Sequence, residues 1–377
     1  MPGWPRKGDG DQKSRRSETE ATQGSGEAPA EGLTPGWSAI DQALGAIYSG
    51  DPPFHYGTVV RWRLGGPDPL DGTSVYINPG PPEHWHFVTY GLSELYQKES
   101  PDPEVSGWGI EFTLRVARSA GQQQPPIWAL NFLQNLARYI FETGNVILPG
   151  HTLDLNGPIE LDSDTAIRAA LFVQDPQLAP IETPNGLLTF VQVVGVTLDE
   201  YRTTQEWSTT GVSEILARTN PLLVTDLARQ SVLEDPATAE LVRQRADAEG
   251  SSMGGYNTDS TRWTVGPEGT RLTIGALVVE RFGLLLTRRC AMGRDAYLKG
   301  PEMAVMIAPA SEFACHPDPS DQIILRLELP ADGARALAAS LRPVVGEYSV
   351  PDLPGLVVAV EQTIIRDQEG NETGRVG

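Results

Sequence analysis

Apolar and polar residues follow two rhythms along this chain, a helical one and an alternating one, and the changes between them mark out the elements. From Trp37 to Tyr48 the apolar residues Ile40, Ala43, Leu44 and Ile47 recur at helical spacing, which predicts a helix. Thr58 to Leu64 is β-branched and alternating, and predicts a strand stopped by the Gly65-Gly66 pair with Pro67 and Pro69. Glu111 to Val116 predicts a strand with Phe112, Leu114 and Val116 on one face. Pro125-Pro126 opens a helix from Ile127 to Phe141, striped by Leu130, Leu133, Leu136, Ala137 and Ile140 and stopped by Gly144; Tyr139 sits at the edge of that stripe.

Further along, Leu187 to Val196 reads as a long strand whose outer positions are Thr and Gln rather than charge. Glu200 to Leu216 and Pro236 to Ala248 read as exposed helices. Strands are expected at Arg271–Ile274, Leu284–Thr287, Ala304–Ile307, Ile323–Leu329 and Leu356–Val360, with a helix from Asp332 to Leu341. The mixture implies an α+β / α/β chain, and 377 residues with 40% hydrophobic content exceed what one core usually holds. The expected organisation is a disordered tail over residues 1–36, an N-terminal lobe over 37–248, a short linker at 249–262, a C-terminal lobe over 263–367 and a frayed end at 368–377. Both lobes are expected to be mixed α/β sandwiches.

Charge narrows the classes of partner. The net charge of -20 opposes nucleic acid and anionic membrane surfaces, so neither is expected as a partner, whereas a basic protein fits. From Asn145 to Tyr201 there are eight Asp/Glu and a single Arg. The start of the chain has no apolar signal segment and no run is long enough to span a bilayer, so a cytoplasmic location is expected.

Candidate chemistry is sparse. His84 and His86 alternate with Trp85 and Phe87, so the two imidazoles share one strand face. They are either half of a metal site, for which no third ligand stands in register, or packed strand histidines. Cys290 and Cys315 have no partner at metal spacing, and no cofactor or metal is expected. Gly250-Ser251-Ser252-Met253-Gly254 spells G-x-S-x-G, but a charged helix precedes it where a nucleophile elbow needs a strand. Asp68 and Asp71 sit in a turn, where capping backbone amides is their commoner use.

Several separate words carry a resemblance: Gly65-Gly66-Pro67-Asp68-Pro69-Leu70-Asp71, Val75-Tyr76, the run from His84 to Tyr96, and Ser106 to Val116. Downstream, in the same order, come Trp128-Ala129, Leu133 to Phe141, Asp175-Pro176-Gln177, Thr183 to Gly186 and Thr189 to Val196. The chain resembles a Suppressor of fused protein over about residues 37–230, and more faintly beyond. The resemblance implies a non-catalytic binding protein. Animal members hold a segment of their transcription-factor partner as a strand added between two lobes, against this sheet, in a cleft lined by a Tyr and acidic residues.

Tyr139 matches that Tyr. His151 stands where animal members carry an acid, and Gln174 replaces the acid before Asp175-Pro176. The expected partner-binding residues are therefore Tyr139, His151, Gln174, Asp175, Val191, Val193 and Gly195, with Leu187–Val196 as the docking strand. The chain lacks the long insert of animal members and looks like the bacterial branch, which resembles immunity proteins that neutralise a cognate toxin. The alternatives are a cytoplasmic regulator that sequesters a transcription factor and a metal-dependent enzyme using His84 and His86. On sequence pattern alone, Leu187–Val196 reads rather as a central, fully paired strand, and it is the resemblance that makes it the docking strand.

Overall fold

The computed structural model describes residues 34–377 apart from Asp51, Arg61, Arg63, Leu64, Asp162 and residues 367–370. The expected tail therefore lies almost entirely outside the described residues. The chain divides into two compact units, one holding the described residues through Tyr201 with Thr209–Asp235, the other Arg202–Ser208 with Pro236–Gly377.

The first unit is built on a sheet of eight strands. In chain order its elements are α1 (Pro35–Gly45), β1 (Phe54–Gly57), β2 (Gly72–Asn78), β3 (His84–Tyr90), β4 (Val105–Ala117), α2 (Ile127–Thr143), β5 (Thr152–Asp154), β6 (Ile167–Gln174), β7 (Ile181–Thr183) and β8 (Gly186–Thr197). The sheet runs β1-β2-β3-β4-β8-β6-β5, with β7 also on β8. Among the described strands of this sheet only β4 and β8 pair in parallel. On one face α1 sets Ile40 and Leu44 against Val88, Tyr90, Leu188 and Phe190. The stripe of α2 is buried as its spacing predicts, and Gly144 ends the helix in the left-handed conformation (φ 71°), its N–H bonded to Ile140 at 2.8 Å.

Two expectations change here. Thr58–Leu64 is not a strand over its described residues: the last ladder-like bond runs from Thr58 N–H to Asp71, and Val59 beyond it is 79% exposed. Arg61, Arg63 and Leu64 of that segment lie outside the described residues. The long helix expected from Glu200 is two, α3 (Leu198–Glu206) and α4 (Thr209–Ala217), broken around a fully buried Trp207.

The second unit contains α5 (Pro236–Glu249), β9 (Gly255–Asn257), β10 (Arg262–Gly266), β11 (Gly269–Gly275), α6 (Val279–Arg288), β12 (Ala296–Lys299), β13 (Ala304–Pro309), β14 (Ala314–Pro317), β15 (Ile324–Leu329), α7 (Ala331–Ser340), β16 (Gly346–Tyr348), β17 (Leu356–Glu361), β18 (Thr363–Arg366) and β19 (Glu372–Val376). Two sheets, β10-β11-β17-β16 and β14-β15-β13-β12-β9, share one core with α6 and α7. Leu284–Thr287, expected as a strand, is the end of α6. Val279, Phe282, Leu285 and Leu286 are buried at helical spacing, which the shorter apolar run concealed. The expected frayed end is a strand over its described part, since β19 pairs with β18.

Helix α5, expected in the N-terminal lobe, groups with this second unit. The arginines around α6 hold the segment that follows it. Arg288 pairs with Asp247 at 2.6 Å, Arg289 donates to the Ser251 carbonyl at 3.0 Å, and Arg294 donates to the Glu249 carbonyl. Ser252 thus follows a helix and precedes β9, the reverse of the strand-to-helix turn that exposes a nucleophile. No helix among the described residues is long and apolar enough to cross a membrane.

Candidate functional site

Apart from Tyr139 on α2, the predicted site residues fall in two places on the eight-stranded sheet, one at its middle and one at a terminal strand. The middle part begins with β3 and β4. His86 faces Arg115 across the ladder, and Thr113 lies beside Gln192 of β8, so one polar row crosses the middle of the sheet. His86, Thr113, Arg115 and Gln192 are all fully buried, and such groups persist in an interior only when paired.

Asp175, at the end of β6, satisfies that row. Its carboxylate accepts from the Arg115 guanidinium at 2.6 and 3.1 Å, from the Thr113 hydroxyl at 2.7 Å, and from the backbone N–H groups of Gln177 and Leu178 at 2.8 and 3.0 Å. Arg115 also donates to Gln192, whose amide donates in turn to the carbonyls of Leu222 and Leu223 at 2.9 and 3.0 Å. Burial alone would raise the Asp175 carboxyl, but His86 and Arg115 pull it well below the usual carboxylate range. Burial, and then the Arg115 charge, push His86 down to about 4. His86 is therefore neutral, accepting a hydrogen bond from the Tyr48 hydroxyl at Nδ1 (2.9 Å) and turning Nε2 toward Asp175 at 3.5 Å.

His84 is equally buried and donates from Nδ1 to the Pro82 carbonyl at 2.7 Å. The pair are packed strand histidines. A divalent cation beside them would meet the Arg115 guanidinium, whose charge already disfavours protonation of both rings. Among the described residues no group of three or more His, Cys, Asp or Glu converges on a metal position.

This geometry moves the predicted site. Val191, Val193 and Gly195 of β8 are buried and paired on both edges: Val191 and Val193 between Phe112 and Leu114 of β4 and Gln174 and Phe172 of β6, Gly195 between Ala170 and the Thr225 side chain. A strand with both edges filled has no backbone groups left for an incoming chain, so over these residues β8 is a central strand rather than an open edge. Asp175 is 3% exposed and committed to its own chain. Gln174 is exposed, but its amide donates to the carbonyls of Leu178 (2.9 Å) and Phe190 (3.3 Å), which closes its own turn.

Tyr139 and His151 are the two that remain available. Tyr139 is half-buried on α2, and no hydrogen bond or ring contact joins it to His151. His151 is exposed at the start of β5, where the sheet ends. Its Nδ1 accepts from Leu148 N–H at 3.3 Å, and burial lowers its pKa, so the neutral ring presents Nε2–H outward. The His151 carbonyl takes the Phe172 N–H and the Leu155 N–H reaches the Arg168 carbonyl, so by alternation the main chain of Asp154 points away from β6.

Sequence reasoning missed β5 because three residues make too short a run to register, and missed Arg115 and Glu111 as interior groups. The available signal was their position: both alternate with Phe112, Leu114 and Val116 in a strand buried on both faces. Glu111 is fully buried and accepts from Thr89 and Ser93 hydroxyls and from the N–H groups of Gly91, Leu92 and Ser93 at 2.6–3.1 Å.

Comparison with known proteins gives consistent matches. Residues 66–230 match the family model of Suppressor of fused protein (SUFU). The human and mouse Suppressor of fused homologs are each 36% identical over 240 residues, covering 59% of this chain and 49% of theirs. The chain thus spans about half the length of these relatives. The crystal structure of Drosophila Suppressor of Fused shares the fold, with a TM-score of 0.74 and 24% identity over 87% of this chain and 97% of that one. A chain of the Sufu–Fu complex crystal structure is 34% identical, with a TM-score of 0.52, over 55% of this chain and 97% of its own length. By these matches, and by the order of its sequence words, the chain belongs to the Suppressor of fused family.

Proposed function

We propose that this chain is a non-catalytic protein-binding module that seats an extended segment of a partner protein by strand addition along β5. The observation that carries the reading is the end of the sheet at β5, where Asp154 turns its main chain outward beside the exposed His151. A terminal strand offers backbone donors and acceptors to any extended chain, and the flanking side chains select among them. Asp154 on this strand suits a basic partner, as does the net charge of the chain. A solved relative was crystallised as the Sufu–Fu complex, which supports a protein partner.

Our reading of the partner is a cognate toxin, neutralised when its segment is held and its active surface covered. The identity to the human homolog favours the alternative, a regulator that sequesters a transcription factor. The test is affinity capture from the native host with Asp154→Pro, which removes the outward N–H, and Asp154→Ala, which keeps it. A stoichiometric partner retained by the alanine variant and lost by the folded proline variant is expected. Equal recovery by both would overturn the β5 reading, and the recovered partner's identity separates toxin from transcription factor.

A further inference from the structure

The same sheet ends a second time, at β1, and this end is built differently. Phe54 to Gly57 pair with Val75 to Gly72 of β2 on one side only. Because Thr58 N–H turns inward to Asp71, alternation turns the main-chain groups of His55 and Gly57 outward, and both residues are exposed. No main-chain partner meets them on that outer side among the described residues. Natural sheets usually blunt such an edge with charge, proline or a covering element.

The two faces beside this edge differ in chemistry. On the His55 side lies the half-buried Trp37 ring of α1, 5.4 Å from the imidazole, with the carboxylate of Asp41, which accepts the Tyr90 hydroxyl at 2.7 Å, near enough to interact with His55. On the Tyr56 side a trough of about 420 Å³ runs between the strand and α2, lined by Tyr56, Val59, Val60 and Leu130 at one part and by the paired Asp68 and Arg138 at another. Val59 and Val60 are 79% and 48% exposed at its rim. Exposed valines beside an open strand edge mark a surface that another chain can cover.

We propose that β1 is a second docking edge, whose occupant is an extended segment of a partner protein, basic on one face and apolar on the other. A strand added to His55 and Gly57 alternates its side chains between the two faces. One set then lies over Trp37 and Asp41, where a cation gains both the ring face and the carboxylate. The other set enters the valine-rimmed trough. The chain's net charge of -20 draws the same basic segment.

The test uses the full chain and three blocked hexapeptides: lysine–valine alternating, glutamate–valine alternating, and three lysines followed by three valines. Fluorescence anisotropy should show binding of the lysine–valine alternation alone. Gly57→Pro, which removes the outward N–H, should weaken it about tenfold, the worth of one backbone hydrogen bond. Asp41→Asn, which keeps an acceptor for the Tyr90 hydroxyl, should weaken it about threefold, as for an exposed ion pair. Hydrogen exchange should show new protection at His55 and Gly57.

If Gly57→Pro does not fold, the exchange footprint and Asp41→Asn decide. Undiminished binding by folded Gly57→Pro, equal binding of the block peptide, or protection confined to β5 would overturn the proposal. So would a concentration-dependent dimer abolished by Gly57→Pro, which would make a second copy the occupant.

Discussion

Arg115 and Asp175, sixty positions apart in sequence, meet as a bidentate ion pair with no exposed side-chain surface on either partner. Removing one partner leaves the other charge buried and unanswered. Arg115→Met should therefore cost about 3–5 kcal/mol in chemical denaturation. The double variant Arg115→Met with Asp175→Leu should recover part of that loss. A double variant less stable than Arg115→Met would show that Asp175 is held chiefly by its hydroxyl and backbone donors.

Glu111 should set a pH dependence of the opposite sense to His86. Burial raises the Glu111 carboxyl to about 7 despite its hydroxyl and backbone donors, so the folded state binds its proton more tightly than the unfolded chain does. Its contribution is full below the unfolded value near 4.5 and declines as pH rises toward 7. His86, lowered to about 4, favours the folded state above its unfolded value of 6.5, and that contribution is lost as pH falls from 6.5 toward 4. In the shared window the two slopes oppose each other. Relative to Glu111→Gln, whose amide stays neutral, the wild-type urea midpoint should fall as pH rises from 4.5 to 7. A constant gap would mean that the donors win and Glu111 titrates near its ordinary value.

Gly195 is tight for a steric reason. A Cβ there would stand 2.6 Å from Ile167 Cγ2 and 2.7 Å from Thr225 Cγ2, both on stiff β-branched side chains. Gly195→Ala should cost about 1–3 kcal/mol, read as a lower melting temperature. A melting point equal to wild type would show that Thr225 can step aside.

In the second unit Trp207 is fully buried, its indole N–H donates to Glu249 at 2.8 Å, and Arg245 lies over its ring at 4.7 Å. Trp207→Ala should destabilise by about 3–5 kcal/mol, whereas Trp207→Phe keeps most of the packing and should lose less. Denaturation followed by far-ultraviolet circular dichroism distinguishes them. Equal losses would place the weight on the hydrogen bond rather than on the ring.

The elements themselves were largely legible. The α2 stripe and its Gly144 stop, the β4 alternation and the extent of β8 all follow from spacing. Spacing could not say which polar residues face water. Gln192 sits at a position that reads as outward, yet it is fully buried because Arg115 and two backbone carbonyls satisfy its amide. A polar residue inside a satisfied network and one in solvent look alike in one dimension. The docking reading of Leu187–Val196 and the choice of His151, which stands beside the terminal strand β5, both came from resemblance rather than from pattern.

The insertion of β8 between β4 and β6 has a consequence for synthesis. The first four strands form a meander whose β4 side stays open until residues 186–197 have been made, because the parallel pairing of Ile110–Leu114 with Thr189–Val193 closes it. A nascent or truncated chain ending before Gly186 therefore displays an apolar strand edge that the finished protein hides, and such edges invite pairing with neighbouring chains. Cutting the chain between β7 and β8 would be expected to yield aggregates, whereas a cut after Asp235 leaves the sheet complete.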